Sequence, residues 1–196
     1  MPAYTNTLEL NHKPKSIPYG GNGEVREDGE ANYGFKYIKG NESLLLQIPE
    51  LIRDAALFEL VRSINAPETG LFSVGCVSSP IRDQNGYRYT GYVEFAFNSS
   101  SSISDAQNYF PVWFHFDRCL HESKFQRAFA FSWELQPCVF TEANAPGFTC
   151  SVILNSHYSP SEDIALSAWR ESLAFLGSYL QSVPESQRDH IYPQPT

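Results

Sequence analysis

The sequence predicts an α+β fold: an amino-terminal helix, a four-stranded antiparallel meander, an active-site-like loop and a long carboxy-terminal helix. Three observations lead there. Aromatic residues alternate with polar ones over several runs, the period-2 signature of half-buried strands. The connections between those runs are short, which favours antiparallel neighbours. The stretch after Ser159 carries a helix start and a 3.6-period apolar stripe. A chain of 196 residues suits one domain with a real core.

The elements follow in order. Residues 1–45 are rich in Gly, Pro, Asn and charge, with the turn-like Gly20-Gly21-Asn22-Gly23, and read as a flexible or irregular extension. A short strand is expected at Tyr33–Ile38. The domain proper is expected over 46–184, followed by a tail over 185–196. Pro49 suits a first helical turn, and Leu57, Leu60, Val61 and Ile64 share one face of a helix that Asn65-Ala66-Pro67 ends.

Leu71–Ser79 reads as the first strand, and Asp83-Gln84-Asn85-Gly86 supplies turn chemistry. Tyr87–Phe97 is the second, with Tyr87, Tyr89, Val93, Phe95 and Phe97 on one face and Arg88, Thr90 and Glu94 on the other. After a Ser99–Ser102 loop, Tyr109–Arg118 reads as a third strand through Phe110, Val112, Phe114 and Phe116. Gln126–Leu135 is the fourth, with Phe129, Phe131, Trp133 and Leu135 inward. Ser159, Pro160 and Glu162 then make a capping box, and Leu166, Trp169, Leu173, Leu176 and Leu180 continue the helix to Pro184.

Composition limits the function classes. The 22 acidic against 14 basic residues give a net charge of −8, which argues against a nucleic-acid backbone as partner. No apolar run approaches the ~20 residues of a membrane span, and no basic-then-apolar leader follows Met1. A cytoplasmic protein is expected, with Cys76, Cys119, Cys138 and Cys150 as free thiols.

One segment points to chemistry. Gly147, Cys150, Leu154, Tyr158, Ser159, Pro160 and Ile164 resemble, without a gap, the active-site stretch of ubiquitin-conjugating enzymes. There a Gly precedes the catalytic Cys by three residues and a Leu follows by four, and a Trp-Ser-Pro opens a helix; Tyr158 replaces that Trp. The family's order of helix, four-strand meander, His-Pro-Asn, Cys and helix resembles residues 48–183. Gln136-Pro137-Cys138 stands where the His-Pro-Asn belongs. The loop before Cys150 is about four residues longer than the family's, Asp117–Phe125 replaces its Pro-rich link, and its last two helices have no room. These departures imply a divergent member, suited to a bacterial conjugation system as well as an unusual eukaryotic one.

The resemblance implies a UBC-like fold and a carrier that accepts a ubiquitin-like modifier from an activating enzyme as a thioester on Cys150. It would then pass the modifier to an amine of a target protein, with no metal or organic cofactor. A thiol suits both steps, since thiolate attacks readily and leaves easily. Such a Cys is expected on an exposed, irregular stretch beside a rigid scaffold. Gln136 or Asn144 would stabilise an oxyanion, His157 would help deprotonate the incoming nucleophile, and Tyr158 completes the supporting set.

Other readings stay open. Cys138 is a second candidate nucleophile, because some divergent family members carry a His-Pro-Cys at its place. Trp113, His115, Asp117 and Cys119, with His121, read as the polar outer face of the third strand rather than a metal cluster, since i, i+2, i+4 positions spread over about 13 Å. Cys76 reads as core. A catalytically inactive scaffold that binds a modifier or partner protein is one rival to the carrier. A helix-grip ligand-binding domain, with Cys150 buried, is the other.

Overall fold

The computed structural model describes residues 3–18, 24–25, 31–32, 34–184 and 189–192. It is a mixed α+β structure built on a six-stranded sheet. The strands are β1 (Thr5–Leu10), β2 (Lys15–Ile17), β5 (Leu71–Asp83), β6 (Gly86–Phe97), β7 (Phe129–Phe140) and β8 (Ala145–Ser156). A separate two-stranded pair joins β3 (Glu24–Val25) to β4 (Ala31–Asn32). The helices are α1 (Glu42–Leu45), α2 (Pro49–Arg53), α3 (Ala55–Ile64), α4 (Ser100–Ile103), α5 (Tyr109–Glu122) and α6 (Glu162–Gln181).

The sheet is not a meander. Its order is β1-β7-β8-β6-β5, two hairpins joined by antiparallel pairing of β6 with β8. The expected third strand is α5. Phe110, Val112, Phe114 and Phe116 do alternate, yet Tyr109, Val112, Phe116 and Leu120 fall on one helical stripe and are the residues buried. Phe110 and Phe114 point outward, Phe114 with 58% of its surface exposed. A run this aromatic satisfies both periods, and packing decides between them.

The amino-terminal extension is also more ordered than expected. Strands β1 and β2 both add to β7 in parallel, pairing residues 130–135 and 138–140 of that strand. Pro137 sits in the interval between these two ladders, where its missing N–H costs no pairing with the arm. Residues 34–38, which include most of the strand expected at Tyr33–Ile38, form no strand, while Tyr33 and the Gly20–Gly23 turn lie outside the described residues. Part of the expected tail, 189–192, is ordered too: Ile191 N–H donates to Asn98 at 2.8 Å, and Asp189 accepts from Ser99 Oγ at 2.6 Å.

The expected first helix breaks at Asp54, whose φ of −131° and ψ of 101° are extended. Its carboxylate accepts from the N–H groups of Ala56 and Leu57 at 2.9 and 3.1 Å, so the break is the cap of α3. The other oxygen of Asp54 accepts from Trp169 Nε1 at 2.7 Å, tying α3 to α6. Helix α6 starts at Glu162, capped by Ser161, two residues later than the capping box suggests. Ser159 is unavailable because its N–H and C=O pair with the backbone of Tyr87.

Alternation along the strands creates two apolar layers. On one face Phe116 of α5 lies 5.0 Å from Phe131 and 5.2 Å from Tyr179, and Trp169 of α6 lies 6.0 Å from Phe129. Rings fill the space between helices and sheet. On the other face Phe72 and Phe140 meet Tyr192, whose ring lies 4.7 Å from that of Tyr37 at a tilt of 39°. Beside this second layer Lys15 of β2 pairs with Glu94 of β6, whose side chain is only 5% exposed. The extension is therefore fastened to the sheet by a nearly buried ion pair.

Candidate functional site

Cys150 lies in the middle of β8, not on a loop. Its register partners are Phe95 on β6 and Leu135 on β7, so both edges of its strand are occupied. The residue is 1% exposed and belongs to the helix-side core. Burial pushes its thiol far above the ordinary range, and Glu94 adds to the shift while Lys15 opposes it. The thiolate that attack on a thioester requires is thus strongly disfavoured.

The residues expected to assist it are dispersed. Gln136 pairs with Thr149, so strand alternation puts it on the face opposite Cys150. Its amide donates to the carbonyl of Lys13 at 2.7 Å and holds the extension. Asn144 is in the β7–β8 turn with a φ of 48°, six residues from Cys150 and therefore about 20 Å along the strand. His157, exposed, is seven residues the other way, about 23 Å. Cys138 is in β7 rather than after it, with burial pushing its thiol up to about 12. Cys76 is held at about 12 for the same reason, and all four cysteines are free.

The polar outer face expected on the third strand is redistributed by α5. Asp117 accepts from Asn6 Nδ2 at 3.1 Å, which anchors β1, while His115 and His121 are exposed on the helix. Among the described residues no group of three or more His, Cys, Asp or Glu side chains is placed to hold a metal ion. No helix there is long and apolar enough to cross a membrane.

Tyr158 is the one expected residue that the fold brings into a defined cluster. The turn of the β5–β6 hairpin is closed by Gly86, whose φ of +115° excludes most side chains. A Cβ there would also stand 2.4 Å from the carbonyl oxygen of Ser159. That contact locks the hairpin tip against the segment entering α6. Beside it is a cleft of about 210 Å³ lined by Pro80, Ile81, Arg82, Tyr87, Arg88, Tyr89 and Glu162.

Two guanidinium groups stand on tyrosine rings at the hairpin tip, on opposite faces because Arg82 pairs with Tyr87 and Arg88 with Ile81: Arg82 lies 5.2 Å from the centre of Tyr87 and Arg88 lies 5.0 Å from that of Tyr158. Each such contact contributes about 0.5–1 kcal/mol at an exposed site. The Tyr158 hydroxyl donates to Asp83, which lowers the Asp83 carboxyl and raises the phenol. Asp83 also accepts from Asn85 N–H at 2.7 Å. Tyr89 stacks on Trp169 at 5.8 Å, and burial, aided by Glu162, raises its phenol. The Nε of Arg88 is buried without a hydrogen-bond partner among the described residues.

Sequence reasoning missed Arg82 and Arg88 because strand alternation assigns charges to a solvated face. The available signal was the density of tyrosine and arginine, Arg82 and Tyr87-Arg88-Tyr89, on both sides of one tight turn. No family model, curated protein or solved structure matches this chain.

Proposed function

We propose that this chain is a non-catalytic recognition domain and that Cys150 is a core residue of its sheet. The observation that carries this reading is the position of Cys150: mid-strand, between two paired neighbours and 1% exposed. A thioester carrier must bring its sulfur within bonding distance of a partner's acyl carbon, and then expose that thioester to an amine. For Cys150 this needs the central strand β8 to leave both β6 and β7. Such an opening approaches global unfolding in cost, about 5–15 kcal/mol.

The reading displaced is the conjugating-type carrier of a UBC-like fold, with an activating enzyme, a ubiquitin-like modifier and a target protein as partners. Its support is the spacing from Gly147 to Ile164. The recognition reading retains the scaffold alternative, and it keeps from the helix-grip alternative the long helix laid on a sheet over a buried Cys150. Ring packing between α6 and the sheet argues against a ligand held inside.

Thiol labelling separates these readings. Native protein is treated with iodoacetamide and the modified residues are located by mass spectrometry, with and without urea. The expected result is that Cys150 is labelled only when urea unfolds the chain, while Cys119 is labelled first. Native labelling of Cys150 at the rate of a small thiol would falsify the proposal. So would a thiol-labile adduct formed with ATP, an activating enzyme and its modifier that Cys150→Ala abolishes.

A further inference from the structure

We infer that the amino-terminal arm, residues 3–17, exchanges between two copies of this chain, so that each lays its β1 and β2 along the β7 edge of the other. This goes beyond the recognition reading and does not depend on it.

The arm can leave without disturbing the rest of the fold. It is bound to β7 in parallel, so no hairpin turn ties it to its partner, and residues 18–33 intervene before the chain returns at Gly34. The described strands of that connector, β3 and β4, pair with each other and not with the six-stranded sheet. Of residues 3–17 only Ile17 is buried, and every residue of β1 is half-buried or exposed. Detachment therefore uncovers little apolar surface, which puts the arm at the low end of local stability.

The place it vacates is a specific receptor. Asn6 accepts from Trp133 Nε1 at 2.9 Å and donates to Asp117 at 3.1 Å, the Lys13 carbonyl accepts from Gln136 Nε2 at 2.7 Å, and Lys15 pairs with Glu94. Without the arm, Glu94 loses its cation and β7 becomes an open strand edge, and both changes favour a replacement. A second copy offers the same sequence and restores every ladder, hydrogen bond and ion pair. A segment of unrelated sequence restores the ladder but not the contacts of Asn6 and Lys15. Exchange of an identical element is a low-cost route to a dimer, because the contacts broken within one copy re-form with the other.

The test mixes two full-length single variants, both in a Cys119→Ser background, in a glutathione redox buffer at about 1 mM, the order of effective concentration of a tethered segment. Thr7 and Ser132 are register partners, close enough for a disulfide. Thr7→Cys mixed with Ser132→Cys should therefore give a covalent heterodimer, identified by mass spectrometry as the 7–132 disulfide. Glu9→Cys with Ser132→Cys, about 8 Å apart and beyond disulfide reach, should give at least about tenfold less. Lys15→Met in both partners should speed formation at least about tenfold. It should leave the final yield unchanged, because the ion pair is lost equally from the closed and the exchanged forms. A chain carrying both Thr7→Cys and Ser132→Cys should close on itself at about 1 μM, far below that effective concentration. Equal heterodimer yields from the two mixtures, or none from either, overturn the proposal, as does a rate that Lys15→Met leaves unchanged. So does a double variant that fails to close on itself, since β1 would then not occupy the register on which exchange depends.

Discussion

Replacing Lys15 by Met tests whether the amino-terminal extension is structural. Lys15 pairs with Glu94, and their side chains are 22% and 5% exposed. Removing one member of a buried pair leaves the other charged in a poor solvent, at about 3–5 kcal/mol. Water reaches the Lys15 side, so about 2–4 kcal/mol is the expected loss for Lys15→Met, a large share of a domain's about 5–15 kcal/mol. The reverse deletion should be cheaper. In Glu94→Leu the lysine can extend its ammonium group to water along its flexible stem, and the loss should stay below about 2 kcal/mol. The double variant, apolar on both sides, should recover most of the Lys15→Met loss. The assay is urea unfolding of all four proteins at pH 7.5, followed by tryptophan fluorescence. A loss below about 0.5 kcal/mol for Lys15→Met, or a Glu94→Leu loss larger than that of Lys15→Met, would refute the argument that a buried carboxylate holds the extension.

Three further outcomes are expected. Gly91→Ala should cost at least about 2 kcal/mol, because its Cβ would lie 2.2 Å from the Val77 carbonyl oxygen; Gly177→Ala meets nothing closer than 3.5 Å and should be neutral or stabilising, so equal urea midpoints for the two would contradict the packing described. Trp169→Phe removes the Nε1 hydrogen bond to Asp54 and should cost about 1–3 kcal/mol, a fall in Tm of roughly 2–4 °C per kcal/mol; an unchanged thermal transition by circular dichroism would speak against that bond. Stability should also fall above pH 8.5 or so, because unfolded thiols release protons there while buried Cys76 and Cys138 hold theirs to about 12 and Cys150 holds its proton still higher. Since the folded values are raised, the contribution is complete below that pH and is lost as pH climbs, with a limiting slope of about 1.4 kcal/mol per pH unit for each thiol. Unfolding free energies between pH 7.5 and 10.5 should fall less steeply in a Cys138→Ala/Cys150→Ala variant, and parallel curves would exclude the thiols as the cause.

Much of the fold was legible because its signals are local. The β5–β6 hairpin announces itself through Asp83-Gln84-Asn85-Gly86, and α6 through its Leu/Trp stripe, although its cap is Ser161 rather than Ser159. What failed depends on distant partners. Whether Tyr109–Arg118 is helix or strand is decided by Phe131, Trp133 and Tyr179, which meet Phe116 from other elements. The ordering of β1 and β2 is decided by an open edge of β7, whose position no residue of the extension reveals. Strand order was lost for the same reason. With α5 standing between the hairpins, β8 is free to pair with β6, a contact between residues some 60 positions apart.

The seven-residue likeness around Cys150 has a physical explanation that needs no chemistry. Gly147 occupies a tight spot, since a Cβ would meet Ile103 and Phe140 at 3.0–3.2 Å and make them yield by a few tenths of an ångström. Cys150 and Leu154 are two steps of a period-2 run that includes Val152, all facing the helices, where a small or branched apolar side chain fits under α5 and α6. Tyr158-Ser159-Pro160 is where a strand ends and a helix begins: Ser159 bridges to Tyr87, Tyr158 packs beneath Arg88, and the helix opens two residues on. Gly147, Cys150, Leu154, Tyr158 and Ser159 are thus held by backbone or packing, while Pro160 and Ile164 are exposed, and a strand-to-helix junction beside a core cysteine reproduces the spacing of a catalytic loop. What separates the two is solvent. A carrier's sulfur must be reached, and the hydrogen-bonded neighbours on both sides of β8 put that of Cys150 beyond a partner's thioester. The same junction places Tyr158 and Glu162 at the hairpin tip, where Tyr158 carries Arg88 on its ring and Glu162 lines the cleft.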